Sequence, residues 1–170
     1  MIEFVIGGAR SGKSAYAEGQ ALESHAGGRA VTYLATGEAR DAEMGERIAH
    51  HRARRPAGWR TVEEPLLLAA ALRRAAAPDT CLLVDCLTLW LANVLFAERD
   101  GEVAKLLETL PELPGRIILV SNEVGWGIVP ENALARRFRD EQGRLNQRVA
   151  ALADRVTLVA AGLALPLKQP

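Results

Sequence analysis

The chain has 170 residues, 49% apolar and 25% charged, ordinary proportions for a globular protein that buries roughly two-thirds of its unfolded surface in one domain spanning residues 1–170. Twenty-one basic residues balance twenty-one acidic ones, so no bulk field points to nucleic acid or a membrane surface. No apolar run is long enough for a membrane span, and an acidic Glu3 with a short strand ahead of a glycine loop argues against a signal peptide. Cys81 and Cys86, in or beside one apolar stretch, read as buried thiols of a reducing compartment, with the cytoplasm as default.

In chain order, residues 3–6 read as a strand and 15–23 as a helix. Between them runs Gly7-Gly8-Ala9-Arg10-Ser11-Gly12-Lys13-Ser14, the phosphate-binding loop pattern in its strand–loop–helix setting. Gly7 and Gly12 allow backbone angles that crowd a Cβ, so successive N–H groups can wrap a polyphosphate. The helix start adds partial positive charge, Lys13 reaches for the β- and γ-phosphates, and the Ser14 hydroxyl is placed to ligate Mg²⁺. A nucleoside triphosphate is the expected ligand.

Residues 30–35 read as a second strand and 41–55 as a helix with Asp41 as N-cap. Met44 and Ile48 mark its apolar stripe, and His51 continues that row, whereas His50 points about 200° away from Ile48. His51 is thus the histidine aimed at the body of the protein, and it reads equally as a nucleophile or as a satisfied core residue. Arg47, Arg52, Arg54, Arg55 and Arg60 surround the pair, either as a solvated cationic face or as forks for phosphate oxygens. Glu63 and Glu64 follow a short run at 59–62 and read as loop acids or as helpers to a metal.

Residues 80–84 form an apolar strand ending at Asp85, which in phosphate-loop enzymes holds Mg²⁺ beside the loop's serine, and which also suits an N-cap for the helix read over 87–98. A strand over 116–120 leads into Asn122-Glu123-Val124-Gly125-Trp126-Gly127-Ile128-Val129-Pro130, either a site-forming loop or a tight turn stiffened by Pro130. The helix over 131–153 carries Leu134, Phe138, Leu145, Val149 and Leu152 as a core stripe, with Arg136, Arg137, Arg139, Asp140, Arg144, Asn146 and Arg148 on its other faces. A strand over 156–160 and an Ala161-Gly162 turn precede 163–167, a candidate antiparallel hairpin partner. Alternating apolar runs and amphipathic segments give an α/β domain, a mostly parallel sheet with helices on both faces.

Taken together, these motifs resemble the bifunctional adenosylcobinamide kinase / adenosylcobinamide-phosphate guanylyltransferase family of cobalamin biosynthesis. The matching pieces are Gly7 to Ser14, Tyr33-Leu-Ala-Thr36, Glu43-Met44, Arg47-Ile48, His51-Arg52 with Arg55-Pro56, Trp59-Arg-Thr61 and Glu63. They continue through Asp85-Cys-Leu-Thr88, Trp90, Asn93, Ser121 to Pro130, Ala135 to Asp140 and Gly143 to Gln147, covering nearly the whole chain in order; the connection between Leu110 and Arg116 is short for the family. The resemblance implies a RecA-like fold, a homotrimer, and two reactions: phosphorylation of adenosylcobinamide from ATP or GTP, then GMP transfer from GTP through a guanylyl-histidine at His51 to adenosylcobinamide phosphate. It also implies a nucleotide site built from Gly7, Gly8, Ala9, Arg10, Ser11, Gly12, Lys13, Ser14, Thr36, Gly37, Glu38, Arg52, Ala53, Arg54, Arg55, Glu63 and Asp85, with Mg²⁺ on Ser14 and Asp85. Two other readings compete: a one-step kinase for another hydroxylated substrate, and a nucleotide-binding regulatory module.

Overall fold

A computed structural model describes residues 1–38, 45–46, 56 and 58–170. Seven strands, β1 (Ile2–Gly7), β2 (Ala30–Ala35), β3 (Arg60–Glu63), β4 (Thr80–Asp85), β5 (Arg116–Asn122), β6 (Arg155–Ala160) and β7 (Leu163–Lys168), form one sheet in the order β3-β2-β4-β5-β1-β6-β7. All pairings are parallel except β6 with β7, which is the antiparallel hairpin expected at the C-terminus.

Alternate residues of each central strand face opposite layers, and both layers are apolar, which is why the strands read as unbroken apolar runs. Phe4, Leu82, Val84, Ile117 and Leu119 pack with α2 (Leu68–Ala75), α3 (Leu87–Phe96), α4 (Gly101–Thr109) and α5 (Ala133–Leu152). Val5, Tyr33, Cys81, Leu83, Ile118 and Val120 pack with Ala17 and Ala21 of α1 (Lys13–Ala26). At the amino ends of β1 and β5, Arg116 ties the layers together. Its guanidinium donates to Glu3 Oε1 at 2.7 Å and Oε2 at 2.9 Å, and also to Gln20 and Ser24 of α1.

Several details depart from the sequence reading. The run at 59–62 is an edge strand pairing with β2, and α2 and α4 are helices that the pattern did not announce. Glu64 Oε1 accepts from the N–H groups of Leu66 and Leu67, fastening the turn that leads into α2. On α5, Leu134 and Leu152 are 53% and 37% exposed, whereas Gln142 and Asn146 are buried with Leu145 and Val149. The short connection after Leu110 is a 3-10 turn over Leu110–Glu112 with Leu110 buried inside it. Thus the core stripe of α5 is partly polar, and those polar residues reach the site.

Candidate active site

The carboxyl ends of the parallel strands meet the first turn of α1. Gly7 ends β1, and its restriction is space rather than angle. A Cβ there would stand 2.3 Å from the Val159 carbonyl oxygen and 2.6 Å from Ser11 Oγ. Farther along the loop the backbone does turn left-handed, at Arg10 (φ 56) and Gly12 (φ 97). Among the described residues no side chain caps α1, and no acid occupies its first turn, which leaves that helix end open to an anion. The β6–β7 turn braces the loop, because the Gly162 N–H donates to the Ser11 carbonyl at 2.8 Å. Sequence reasoning saw the Ala161-Gly162 turn only as a hairpin, and no local signal tied it to the loop.

Lys13 is buried and its ammonium donates to the Gly8 carbonyl at 3.1 Å, arched over the loop. Burial lowers its pKa from the ordinary 10.5, while the negative forms of Cys86 and Asp85 nearby push it back up. The loop's lysine and the acid at the end of β4 therefore share one electrostatic neighbourhood. Asp85 is oriented by Tyr33, whose hydroxyl donates to Asp85 Oδ2 at 2.7 Å from the adjacent strand. The Cys86 thiol is pushed up to about 11 by its burial, so it stays neutral beside this acid.

Thr36 is fully buried, at 0% exposure. Its hydroxyl donates to the Cys86 carbonyl at 2.8 Å and accepts from the Cys86 N–H at 2.9 Å, latching β2 to β4 one residue past Asp85. The Thr36 carbonyl accepts from Asn93 Nδ2 at 2.8 Å. Beyond Thr36, Gly37 is half-buried and Glu38 exposed. Glu63 lies exposed at the end of β3, opposite Ala35 in register.

Between the tips of β1 and β4 lies the end of β5, where Asn122 is in register with Gly7. A buried polar network holds this tip. Ser121 Oγ donates to Asn146 Oδ1 at 2.8 Å, Gln142 Nε2 donates to Ser121 and Asn146, the Asn122 N–H donates to Thr88 Oγ1, and Asn146 Nδ2 donates to the Asn122 carbonyl. Asn122 Oδ1 and Ser11 Oγ are buried and have no hydrogen-bond partner among the described residues, one at the tip of β5 and one in the phosphate loop. Asn146 had looked like a surface residue of α5; its place under Asn122 is set by tertiary packing.

The structure thus brings Gly7 to Ser14, Asp85 and Asn122 to the crevice at the strand carboxyl ends, with Tyr33 and Thr88 buried beneath as supports of Asp85 and Asn122. His51, Arg52, Ala53, Arg54 and Arg55 lie outside the described residues, as do His50 and most of the helix read over 41–55; residues 45–46 of it are helical. Among the described residues no three His, Cys, Asp or Glu side chains converge as a metal cage. The donors on hand suit Mg²⁺ all the same, since a serine hydroxyl and a strand-end carboxylate are hard oxygens, and Mg²⁺ characteristically completes its shell with phosphate and water.

Comparison with known proteins matches residues 3–167 to a family model described as cobinamide kinase / cobinamide phosphate guanyltransferase. The chain is 59% identical over 172 residues to the bifunctional adenosylcobalamin biosynthesis protein CobP of Pseudomonas aeruginosa, covering 99% of this chain and 98% of that one. It is 44% identical to the bifunctional adenosylcobalamin biosynthesis protein CobU of Salmonella typhimurium, covering 99% of this chain and 100% of that one. Among solved structures, the flagellar accessory protein FlaH of Methanocaldococcus jannaschii superposes with a TM-score of 0.58 at 14% identity, covering 99% of this chain and 78% of that one. A second solved structure, an ATPase domain, superposes with a TM-score of 0.52 at 12% identity, covering 92% of this chain and 68% of that one. At such identities the two structures speak for the RecA-like fold alone. The phosphate loop, the strand-end acid and the match over almost the whole sequence together place this chain in the CobU family of cobinamide kinase / cobinamide phosphate guanyltransferases.

Proposed function

We propose that the protein phosphorylates the aminopropanol hydroxyl of adenosylcobinamide from ATP or GTP, and then passes GMP from GTP through His51 to the new phosphate, giving adenosylcobinamide-GDP. The observation that carries this reading is the family match over residues 3–167, on a chain whose phosphate loop and strand-end acid stand at the same end of the sheet. In the kinase step the substrate oxygen bonds to the γ-phosphorus, the bond from that phosphorus to the β-bridging oxygen breaks, and a nucleoside diphosphate leaves. In the guanylyl step an imidazole nitrogen of His51 bonds to the α-phosphorus and pyrophosphate leaves, held by Lys13 and the loop. The cobinamide phosphate oxygen then attacks the phosphoramidate and frees the histidine.

Mg²⁺ would be held by Ser14 and Asp85 and would neutralise phosphate charge. Tyr33 would keep Asp85 aimed, and Lys13 would follow the β- and γ-phosphates. Gly8 to Gly12 would line the phosphates, Gly37, Glu38 and Glu63 the nucleoside end, and Arg52, Arg54 and Arg55 would offer guanidinium forks to it, with Ala53 between them. One catalytic domain over 1–170 accords with a single sheet that takes strands from both ends of the chain. A cytoplasmic homotrimer accords with the exposed leucines of edge strand β7, and the balanced charge accords with small-molecule rather than nucleic-acid partners.

Two GTP analogues separate the half-reactions. With the α,β bridge replaced by methylene, GMP transfer to His51 is blocked while γ-phosphate transfer to the hydroxyl proceeds. With the β,γ bridge replaced by imide, the pattern reverses. With α-labelled GTP, acid-labile and base-stable label is expected on the wild type and the His50→Ala variant, and none on His51→Ala. Phosphorylated cobinamide formed without any protein labelling would reduce the protein to a one-step kinase.

A further inference from the structure

We propose that the loop between β5 and α5 is the landing surface for the corrin macrocycle of the substrate, with Trp126, Ile128 and Val129 in contact with the ring. The proposal rests on the cobinamide reading and adds to it a place for the bulky half of the acceptor. Trp126 is 74% exposed, Ile128 97% and Val129 58%, and Leu134 just beyond is 53% exposed. Large apolar side chains concentrated this closely on a surface mark a contact site more often than a random scatter.

The loop is built rather than slack. At its start the Glu123 N–H donates to the Gly7 carbonyl at 3.0 Å, so its first residue is bonded to the phosphate loop itself. Glu123 Oε1 then accepts from the Gly125 N–H at 2.6 Å. At its end Asn132 Oδ1 accepts from the N–H groups of Leu134 and Ala135, and Arg136 donates to the Pro130 and Glu131 carbonyls. Both ends being fastened, the apolar tips project from a fixed frame, and less ordering entropy is lost when a ligand covers them.

Position selects the occupant. A γ-phosphate gripped by Lys13 must meet a hydroxyl carried on a short arm of the corrinoid, so the macrocycle has to rest within an arm's length of the phosphate loop. The loop over 123–132 starts at the end of the strand beside β1, at that mouth. Exposed Phe96 ends α3, which departs from the carboxyl end of β4 and runs back toward the opposite end of the sheet. Leu163 follows the Gly162 that braces the phosphate loop, but Leu163, Leu165 and Leu167 lie along edge strand β7, which runs from there back toward the amino ends of the parallel strands. A flat, methyl-fringed ring with amide arms suits an indole face and two β-branched side chains better than it suits an edge strand.

The test uses the full chain, adenosylcobinamide as probe, and the variants Trp126→Ala, Trp126→Phe and Ile128→Ser. Steady-state kinase assays would give KM for adenosylcobinamide and for nucleotide, and sedimentation would give the assembly state. Trp126→Ala and Ile128→Ser should raise the corrinoid KM about tenfold or more while nucleotide KM stays within about twofold, and Trp126→Phe should retain most affinity. Corrinoid should also quench wild-type tryptophan emission more strongly than that of Trp126→Phe. Wild-type turnover with unchanged corrinoid KM in both Trp126→Ala and Ile128→Ser overturns the placement. A changed assembly state with unchanged corrinoid KM also overturns it, making the patch a contact between copies. No corrinoid phosphorylation by the wild type brings down the cobinamide reading, and the placement with it.

Discussion

Replacing Thr36 by Val removes one hydroxyl and keeps the side chain's shape, which makes it a clean probe of the junction beside Asp85. In the native fold that hydroxyl serves both backbone groups of Cys86, at 2.8 and 2.9 Å, in a site with no exposure. Val offers neither donor nor acceptor, and burial denies water as a substitute. The Cys86 carbonyl keeps the Trp90 N–H as a donor, so one buried group, the Cys86 N–H, is left unpaired; at about 1–3 kcal/mol for such a group, the variant should lose about 2 kcal/mol. At about 2–4 °C per kcal/mol for a chain of this size, Tm should fall by about 4–8 °C without nucleotide. Thr36→Ser keeps the oxygen and should lose only a small part of that. Because the latch follows Asp85 directly, Thr36→Val should also raise the Mg²⁺ concentration for half-maximal activity more than it raises the GTP KM. Thermal melts and Mg²⁺ titrations read both effects. If Tm moved by less than about 1 °C and only the GTP KM rose, the hydroxyl would be a nucleotide contact and the latch account would be wrong.

Arg116→Met should cost about 3–5 kcal/mol in denaturant unfolding, since it strands a Glu3 carboxylate that is only 7% exposed; adding Glu3→Leu should recover most of that, and additive losses would refute the coupling. Lys13, its pKa held below 10.5 by burial, should regain its proton when polyphosphate arrives. Between that lowered value and 10.5, GTP binding should therefore take up a proton and weaken as pH rises, which calorimetry in two buffers of different ionisation enthalpy would detect; zero uptake there counts against it. The Cys86 thiol, raised from 9.0 to about 11, contributes stability that is intact below pH 9.0 and lost as pH climbs to about 11. Two pKa units correspond to about 3 kcal/mol, so Cys86→Ala should flatten the alkaline fall in stability measured by denaturant titration.

The parallel sheet was legible because strands buried on both faces carry unbroken apolar runs, as at Cys81 to Val84 and Ile117 to Val120. The phosphate loop was legible because its chemistry is local. Harder to see was α2: it is only eight residues long, and its N-cap is Leu67, which carries no capping side chain to announce a helix start. Leu134 suited the core by helical spacing yet lies at the first turn of α5, beyond the sheet's cover. Asn146 was misplaced for the converse reason, and Gln142 beside it gave no signal. Polar residues are buried only where a distant partner satisfies them, and Ser121, Asn122 and Thr88 come from other elements. Tyr33 belongs with them, since its hold on Asp85 depends on β2 lying beside β4.

That strand order also explains how one cradle can serve two transfers. With β5 between β1 and β4, the phosphate loop and Asp85 stand two strand spacings apart, about 10 Å. In the crevice between them the tip of β5 carries Asn122, whose Oδ1 is a polar atom with no partner among the described residues. A triphosphate lying along such a crevice presents its γ end and its α end in opposite directions. In the proposed scheme the acceptor hydroxyl meets one end and His51 the other, so the two nucleophiles never need the same place. The loop grips the β- and γ-phosphates in both cases: as donor in the kinase step and as departing pyrophosphate in the guanylyl step. Selectivity between the reactions then resides in which nucleophile is present rather than in a rearranged phosphate site.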